Sequence, residues 1–356
     1  MMNEISENKL ISLITAGYRR STRQVNALHE SDAELVQWEL GKKALLAVTT
    51  DSIVEEIRTS LYDDPYLIGW MTVMVNLSDL AAVGAEPIGL LVSESLPADY
   101  PEISLRRLHQ GISDACNVCD TYVLGGDTNF GDRLATTGCA IGRVTGGQVL
   151  TRKGCRPGDV LYASAAVGTG NAFALAHFAG FDKNAIPFMP AARLKEGNAL
   201  RAVASCCMDT SDGVLSTLDQ LMRLNGCGFR IDDAWELGFE SHSLSSVKSI
   251  HLPSWLLLAG EHGEFELLFT IPSDREQEFL ERAKRIGWNP LKFGVVIHEE
   301  KVVLPIDGQD IAIDTAWIRN LGHEAGSRVE DYIKELIRYD KNMRKGVPSH
   351  EAVCIV

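Results

Sequence analysis

The chain has 356 residues, 45% of them hydrophobic and 23% charged, and its 34 Lys and Arg against 48 Asp and Glu give a net charge of −14. These proportions are ordinary for a globular protein with a sizeable core, and the acidic balance argues against nucleic acid or a membrane surface as a partner. No apolar run reaches the ~20 residues of a membrane helix, and no basic segment leads into an apolar one at the N-terminus. We therefore predict a cytoplasmic protein whose scattered cysteines are reduced.

Strands and helices are predicted to alternate in the first half of the chain. One helix follows Pro65, which is favoured in a first helical turn, and stops at Gly84. The spacing of apolar residues predicts strands at 45–50, 87–96, 121–124 and 135–143, and helices at 67–83 and about 105–115. This order indicates an α/β or α+β domain.

A glycine-rich stretch from 146 to 158 is the best candidate for a domain junction. Beyond it the pattern predicts strands at 160–165, 266–271 and 290–296, a polar loop at 208–213, and helices at about 170–180, 193–205, 214–222, 274–286 and 327–345. The last helix carries an apolar stripe that favours docking on the protein's own surface. We divide the chain into an N-terminal domain (1–148), a C-terminal domain (149–325) and a C-terminal helical extension (326–356).

Several aspartates stand at predicted element ends beside Gly, Ser or Thr, where a single Asp is commonly only a cap or turn residue. Asp79 is different, because it lies inside an apolar helical segment with Asn76 on the same face. A buried carboxylate there has to be paired, hydrogen-bonded or bound to a metal. Several converging carboxylates would need divalent cations, and Mg²⁺ commonly shares its oxygen ligands with substrate phosphates. Gly125 and Gly126 would let the backbone approach such a phosphate closely.

The common nucleotide-binding signatures are missing from this sequence. It contains neither the phosphate loop ending in Gly-Lys-Ser/Thr nor the dinucleotide glycine fingerprint, and the protein-kinase set is also absent. A chain that binds Mg²⁺ and a nucleotide without them is predicted to use a different fold.

A series of segments in one order carries a family resemblance. The segments, which span about residues 30 to 300, are Thr49-Thr50-Asp51, Asn76-Leu77-Ser78-Asp79, Gly125-Gly126-Asp127-Thr128, Thr151-Arg152-Lys153-Gly154, Asp209-Thr210-Ser211-Asp212-Gly213 and Glu264-Phe265-Glu266-Leu267. In this order they resemble thiamine-monophosphate kinase, a member of the aminoimidazole-ribonucleotide (AIR) synthetase superfamily.

The resemblance implies two α/β domains with the C-terminal one built on a mixed sheet, a β-barrel shared between the N-terminal domains of a homodimer, and ATP bound with Mg²⁺ in a cleft. The implied metal ligands are Asp32, Thr49, Thr50, Asp51, Asp79, Asp127, Asp209 and Asp212. The implied ATP contacts are Gly125, Gly126, Asp127, Thr128, Arg152 and Ser211. Asp212, beside the transferred phosphoryl group, and Arg152 would be the catalytic residues.

Departures from the family pattern fall mainly on the acceptor side. Arg58 stands where the kinases carry a His, and a guanidinium suits an anionic acceptor such as a phosphate or carboxylate. The substrate loop reads Glu261-His262-Gly263-Glu264, so that Glu264 or Glu261 would replace the family's contacting Glu. His262 is either an acceptor contact or a solvent-facing loop residue. Trp317 is the candidate for the missing aromatic ending, and we expect Arg58, His262, Glu264 and Trp317 to contact the substrate.

The resemblance implies direct transfer of the ATP γ-phosphoryl group to a phosphorylated small molecule, thiamine monophosphate or an analogue. A phosphate acceptor is already anionic, so positioning and charge neutralisation would carry most of the catalysis. Two alternatives remain open. One is a related enzyme that phosphorylates a carbonyl or amide oxygen for dehydration or ring closure, and the other is a nucleotide-binding paralogue without turnover.

Overall fold

The computed structural model describes residues 5–16, 21–38, 44–146, 148–178, 186–325 and 329–343. These residues form a mixed α/β fold with a five-stranded sheet in the first half and a seven-stranded sheet in the second. In the part of the chain so described, each helix is too short or too polar to cross a membrane.

The first half surrounds an open sheet with the strand order β1-β2-β5-β3-β4. Its elements are α1 (Ser6–Thr15), β1 (Glu34–Gln37), β2 (Leu45–Ser52), α2 (Val54–Arg58), α3 (Pro65–Ala82), β3 (Glu86–Leu96), α4 (Glu102–Val118), β4 (Val123–Phe130) and β5 (Ala135–Val144). Only β3 and β4 pair in parallel, and within the described residues the sheet does not close into a barrel.

Helix α3 is the central element of this half. Asp64 caps it by accepting a hydrogen bond from the Tyr66 amide at 3.0 Å, and every residue from Leu67 to Ala82 is buried. It packs on α4 where Gly69 leaves room, since a Cβ there would lie 1.9 Å from the Leu108 carbonyl oxygen. The helix also contacts β2 and β5. A helix enclosed on all sides explains why polar residues within it must find partners.

The second half surrounds a mixed sheet with the strand order β12-β11-β8-β10-β6-β9-β7. Its elements are β6 (Val160–Ala163), α5 (Thr169–Phe178), α6 (Leu194–Leu200), β7 (Cys206–Asp209), α7 (Val214–Asn225), β8 (Gly228–Ile231), α8 (Ser241–Ser249), α9 (Leu256–Ala259), β9 (Leu267–Ile271), α10 (Glu276–Arg285), β10 (Leu291–Ile297), β11 (Val302–Ile306), β12 (Gln309–Ile313), α11 (Thr315–Ala325) and α12 (Val329–Met343). Strands β8 and β11 pair in parallel and the others are antiparallel.

The two halves meet at α3, which contacts α6 and β7 as well as the first sheet. The Trp70 indole donates a hydrogen bond to the Pro190 carbonyl at 2.7 Å, and buried apolar residues of both halves form one continuous cluster. The carboxyl end of β7 therefore lies against the carboxyl half of α3, and this contact positions the site.

Most predicted elements are present, but three predictions are wrong. The short strand expected at 121–124 continues to Phe130, so residues 125–128 lie in a strand. The helix expected to reach 205 ends at Leu200, and the loop expected from 208 begins inside β7. Gly147, beside the predicted domain boundary, and residues 326–328 and 344–356 of the predicted extension lie outside the described residues.

Candidate active site

Three aspartates from distant parts of the chain converge between the two halves. Carboxylate oxygens of Asp32, before β1, Asp79, in α3, and Asp209, at the end of β7, lie within 4.8 Å of one another. The Asp32 side chain is fully buried, and Asp79 and Asp209 are 9% and 1% exposed. Burial and mutual repulsion raise the pKa of Asp209 to about 7 and that of Asp79 well above its usual range. Burying carboxylates so close together destabilises the fold unless a cation compensates their charge.

Hydroxyl groups fix the orientation of two of these carboxylates. The Thr49 hydroxyl donates to Asp79 Oδ2 at 2.5 Å, and the Ser78 hydroxyl donates to Asp209 Oδ2 at 2.6 Å. Ser211, a predicted ATP contact, donates to the other Asp209 oxygen at 3.1 Å. These bonds leave the carboxylates as pre-oriented oxygen ligands.

Asn76 holds the end of β2 beside this cluster. Its side chain accepts from the Asp51 amide at 3.0 Å and donates to the Asp51 carbonyl at 3.3 Å. Desolvation, opposed by a hydrogen bond from Asp79 and reinforced by the charge of Asp212, raises the pKa of Asp51 to about 6. Asp51 therefore borders the cluster, whereas the Thr50 hydroxyl donates to the Gly138 carbonyl at 2.8 Å.

Arg152 is bound to the cluster through Asp32. Its guanidinium donates from Nη2 to Asp32 Oδ1 at 2.9 Å, and Asn225 Nδ2 donates to the Arg152 carbonyl at 2.9 Å. Among the described residues the other Asp32 oxygen, Oδ2, is buried without a hydrogen-bond partner. An unpartnered buried oxygen beside two further carboxylates fits a hard divalent cation such as Mg²⁺.

Asp212 is exposed on the loop between β7 and α7. Partial desolvation and the charge of Glu7 raise its pKa to about 6, while Arg319 acts in the opposite direction. The Arg319 guanidinium, which nothing in the sequence pattern had indicated, pairs with Asp219 at 3.1 Å and with Glu7 at 2.9 Å. It places a buried cation near the predicted phosphoryl-transfer position.

The segment Gly125–Thr128 does not join the aspartate cluster within one chain. All of β4 is exposed, and Asp127 accepts a hydrogen bond from Asn129 at 2.6 Å. The pairing register places Asp127 three strands from Ser52, about 14 Å at the usual strand spacing. Thr128 donates to Glu94 at 3.0 Å. Gly126 is required by the sheet, because a Cβ there would lie 1.9 Å from the Val92 carbonyl oxygen.

A cavity of about 170 Å³ lies between α2, α5, the segment Gly260–His262 and α12, and two of the predicted substrate residues, Arg58 and His262, line it. Its other lining residues are Glu55, Glu56, Thr59, Leu61, Asn171, Ala174, Leu175, Phe178, Gly260, Glu261, Tyr332 and Ile333. Glu56 and Glu261 on its wall both interact electrostatically with Asp212, so this side of the cavity faces Asp212.

His262 is half-buried against aromatic rings and is not a solvent-facing loop residue. Its Nε2 lies 2.8 Å from the Tyr62 hydroxyl, and its ring centroid lies 4.9 Å from that of Phe188. Burial lowers the pKa of His262 to about 4. The imidazole is therefore neutral near pH 7 and suited to a hydrogen bond with a ligand, since the buried Nδ1 has no partner among the described residues.

Two predicted substrate contacts lie elsewhere. Glu264 is buried and accepts hydrogen bonds from the Gly168 amide at 2.7 Å and from the Thr210 hydroxyl at 3.2 Å, so it braces two loops. Trp317, on α11, stacks on Tyr339 of α12 with ring centroids 4.9 Å apart. Tyr332 also lines the cavity, and no sequence pattern predicts this, because only the docking of α12 brings it there.

The fold and the N-terminal residues are those of the AIR synthase-related proteins. Residues 30–144 match the family described as "AIR synthase related protein, N-terminal domain". The chain is 34% identical over 240 residues to the thiamine-monophosphate kinase of Escherichia coli strain K12, covering 65% of this chain and 72% of that one. The chain belongs to the thiamine-monophosphate kinase family, which confirms the resemblance predicted from the ordered segments.

Solved structures agree with this assignment. A thiamine-monophosphate kinase from Stenotrophomonas maltophilia K279a has a TM-score of 0.65 and 25% identity, with 86% of this chain and 98% of that one covered. The structure of AaThiL complexed with AMPPCP and TMP has a TM-score of 0.70 over 85% of this chain and 93% of that one. Its 23% identity shows a likeness of fold.

Proposed function

We propose that this chain is an ATP- and Mg²⁺-dependent kinase that transfers the γ-phosphoryl group of ATP to the phosphate of thiamine monophosphate or a close analogue. The observation that carries the proposal is the set of three buried carboxylates within 4.8 Å of one another, in a chain of this family. It is supported by a cavity whose wall residues Glu56 and Glu261 interact electrostatically with Asp212.

Asp32, Asp79 and Asp209 would hold Mg²⁺, with Asp51 and Asp212 at the border of the same site. The ion would neutralise charge on the carboxylates and the triphosphate. Thr50 and Asp127 have other partners within the chain, and their assignment as metal ligands stays a prediction.

The chain's own residues supply positioning and electrostatics. Asn76 and the hydroxyls of Thr49 and Ser78 hold the acidic groups in place. Arg152 presents a cation whose Nε is buried without a hydrogen-bond partner among the described residues, and that N–H is a donor for a phosphate oxygen. An anionic phosphate acceptor needs no general base, so none of these residues has to remove a proton from it.

The cavity favours an acceptor with a cationic, largely apolar body. The cavity wall carries three acidic side chains, those of Glu55, Glu56 and Glu261, beside the single guanidinium of Arg58. Desolvation raises the pKa of Glu56 and raises that of Glu261 to about 8, so a bound cation would favour the ionised form of both groups. The Arg58 guanidinium lies 3.8 Å from Glu55 in an exposed pair, and its contact with an anionic group of the acceptor stays a prediction. A thiamine-like cation with a terminal phosphate directed at the metal site suits this arrangement.

The test is a product assay with ATP, Mg²⁺ and thiamine monophosphate. We expect one ADP for each diphosphate formed, and a fall of roughly 100-fold or more in kcat for Asp209→Asn, as when a main electrostatic contact is removed. Asp310→Asn, an exposed acid on β12, is the control and should keep full activity. Release of inorganic phosphate without a phosphorylated acceptor would favour the carbonyl-activating alternative, and nucleotide binding without turnover would favour the paralogue without activity.

We also propose that the chain works as a homodimer through β4, in which two first sheets form the shared barrel implied by the family. Support comes from β4 itself, an edge strand exposed along its whole length that carries Leu124 and Phe130 at 52% and 81% exposure. An apolar exposed edge is normally covered in a native protein. The domain boundary at 148 and a cytoplasmic location stay predictions.

A further inference from the structure

Helix α12 is firmly docked on the second half of the molecule. The Trp255 indole donates to Asp340 Oδ1 at 2.8 Å, and the Tyr339 hydroxyl accepts from the Asp314 amide at 2.9 Å. Leu336 is 2% exposed. The helix is thus part of the folded body, with a defined face toward the protein.

The first turns of that helix reach the acceptor cavity. Tyr332 and Ile333 both line it, together with Leu175 and Phe178 of α5. The Tyr332 hydroxyl donates to the Ala259 carbonyl at 2.8 Å, directly before the segment Gly260–His262 that forms another part of the wall. The helix therefore both lines the cavity and braces the loop that carries His262.

We propose that α12 is a wall of the acceptor site and that Tyr332 and Ile333 set the size of the acceptor's apolar body. This rests on the proposed function, since it assumes that the cavity facing Asp212 receives the acceptor. Neither side chain belongs to the motifs that define the family in this sequence, so the helix can tune acceptor choice without altering the nucleotide site.

The physical basis is the small volume that the helix leaves. Bulk added at position 333 would compete with the acceptor for a cavity of about 170 Å³, whereas truncation at 332 or 333 would enlarge it. The aspartate cluster is built from other elements, so neither change should affect ATP directly. The expected signature is a selective change in acceptor affinity.

The experiment compares Ile333→Trp, Ile333→Ala and Tyr332→Phe in the full chain, with Lys341→Ala as a control on an exposed position of the same helix. The Kd for thiamine monophosphate is measured by calorimetry with Mg²⁺ and a non-hydrolysable ATP analogue. For Ile333→Trp we expect this Kd to rise about tenfold, because the larger side chain takes up space that the acceptor needs. Ile333→Ala should accept analogues with bulkier ring substituents that the parent chain rejects. Tyr332→Phe, which keeps the ring, should retain the parent's size limit.

The outcomes separate this inference from the proposed function. Parent-like Kd values and the parent's size limit in both Ile333 variants, with melting temperatures unchanged, would overturn the role of α12 even if the enzyme phosphorylates thiamine monophosphate. A parent chain that binds thiamine monophosphate without transferring phosphate would overturn the kinase proposal. In that case weaker binding by Ile333→Trp would still support the proposal that α12 is a wall of the acceptor site. A parent chain that does not bind it at all would overturn both.

Discussion

Asp79 shows most clearly how one residue can oppose stability and serve function. It lies within an otherwise apolar helix, and its carboxylate shares a small volume with those of Asp32 and Asp209. Without a cation, the desolvation of these charges and the repulsion between them destabilise the folded protein. A residue retained at that cost is a candidate for binding rather than for packing.

We predict that Asp79→Asn stabilises the metal-free protein while inactivating it. The amide has nearly the same shape and can still accept the Thr49 hydroxyl, so relief of repulsion should add about 1 kcal/mol, the value of one pKa unit. Urea denaturation measures this gain. Saturating Mg²⁺ should stabilise the parent but not the variant, and a variant less stable than the metal-free parent would contradict the crowded-charge account.

The same substitution at Asp219 should destabilise the protein rather than stabilise it. Asp219 is fully buried on α7, but it is paired with Arg223 at 2.7 Å and with Arg319 at 3.1 Å. Asp219→Asn removes the buried carboxylate that both guanidinium groups share, although Arg319 keeps its ion pair with Glu7, and it should cost about 3 kcal/mol, as is usual when one partner of a buried pair is removed. Urea denaturation measures the change in the free energy of unfolding for both variants. Equal changes in the two would mean that burial of the carboxylate, and not its partners, determines the effect on stability.

At the scale of elements, β4 shows that adjacent glycines can meet different structural needs. Gly125 and Gly126 lie in a strand parallel to β3, beyond the predicted strand end at 124, and their contact with ATP stays a prediction. At Gly126 a Cβ would meet the Val92 carbonyl oxygen at 1.9 Å, but at Gly125 it would meet only a Leu91 methyl at 3.7 Å. Close packing therefore requires a residue without a side chain at Gly126 but not at Gly125.

This difference predicts that alanine substitution at these two neighbouring positions reduces stability by unequal amounts. Gly126→Ala should destabilise the chain by about 2 kcal/mol, because rigid backbone has to move. Gly125→Ala should change stability by no more than about 0.5 kcal/mol, as at an open surface position. Thermal melting of the two proteins side by side is the measurement, and a tolerated Gly126→Ala would show that β3 and β4 separate easily.

Sequence patterns predicted the long elements well and the short buried ones poorly. Helix α3 was expected within two residues of its bounds, because Pro65 and Gly84 mark its ends. Strand β7 was missed, since its four residues are all buried and give neither helical nor alternating periodicity. The aspartates of the cluster were all candidates, but their meeting depends on the packing of α3 against β7, which no local pattern encodes.

At the scale of the whole molecule, the site depends on contact between the two halves. The bond from Ser78 to Asp209 joins α3 to the end of β7, and Arg152 joins the start of the second half to Asp32 of the first. Any motion of one half against the other would change the distances between the carboxylates. Binding of a cation should therefore also hold the halves together.

Assembly belongs to the same scale, and β4 is where it can be tested. Leu124→Arg places a charge on the exposed edge strand, while Ile286→Arg places one on a comparably exposed apolar residue just after α10, far along the chain. We expect sedimentation to report a dimer for the parent and for Ile286→Arg but a monomer for Leu124→Arg, because burying an unpaired arginine in an apolar interface is costly. A parent chain that is monomeric at micromolar concentration would contradict the shared barrel. If the parent is dimeric and Leu124→Arg remains so, the copies must associate through another surface, and the apolar residues of β4 would need a different partner.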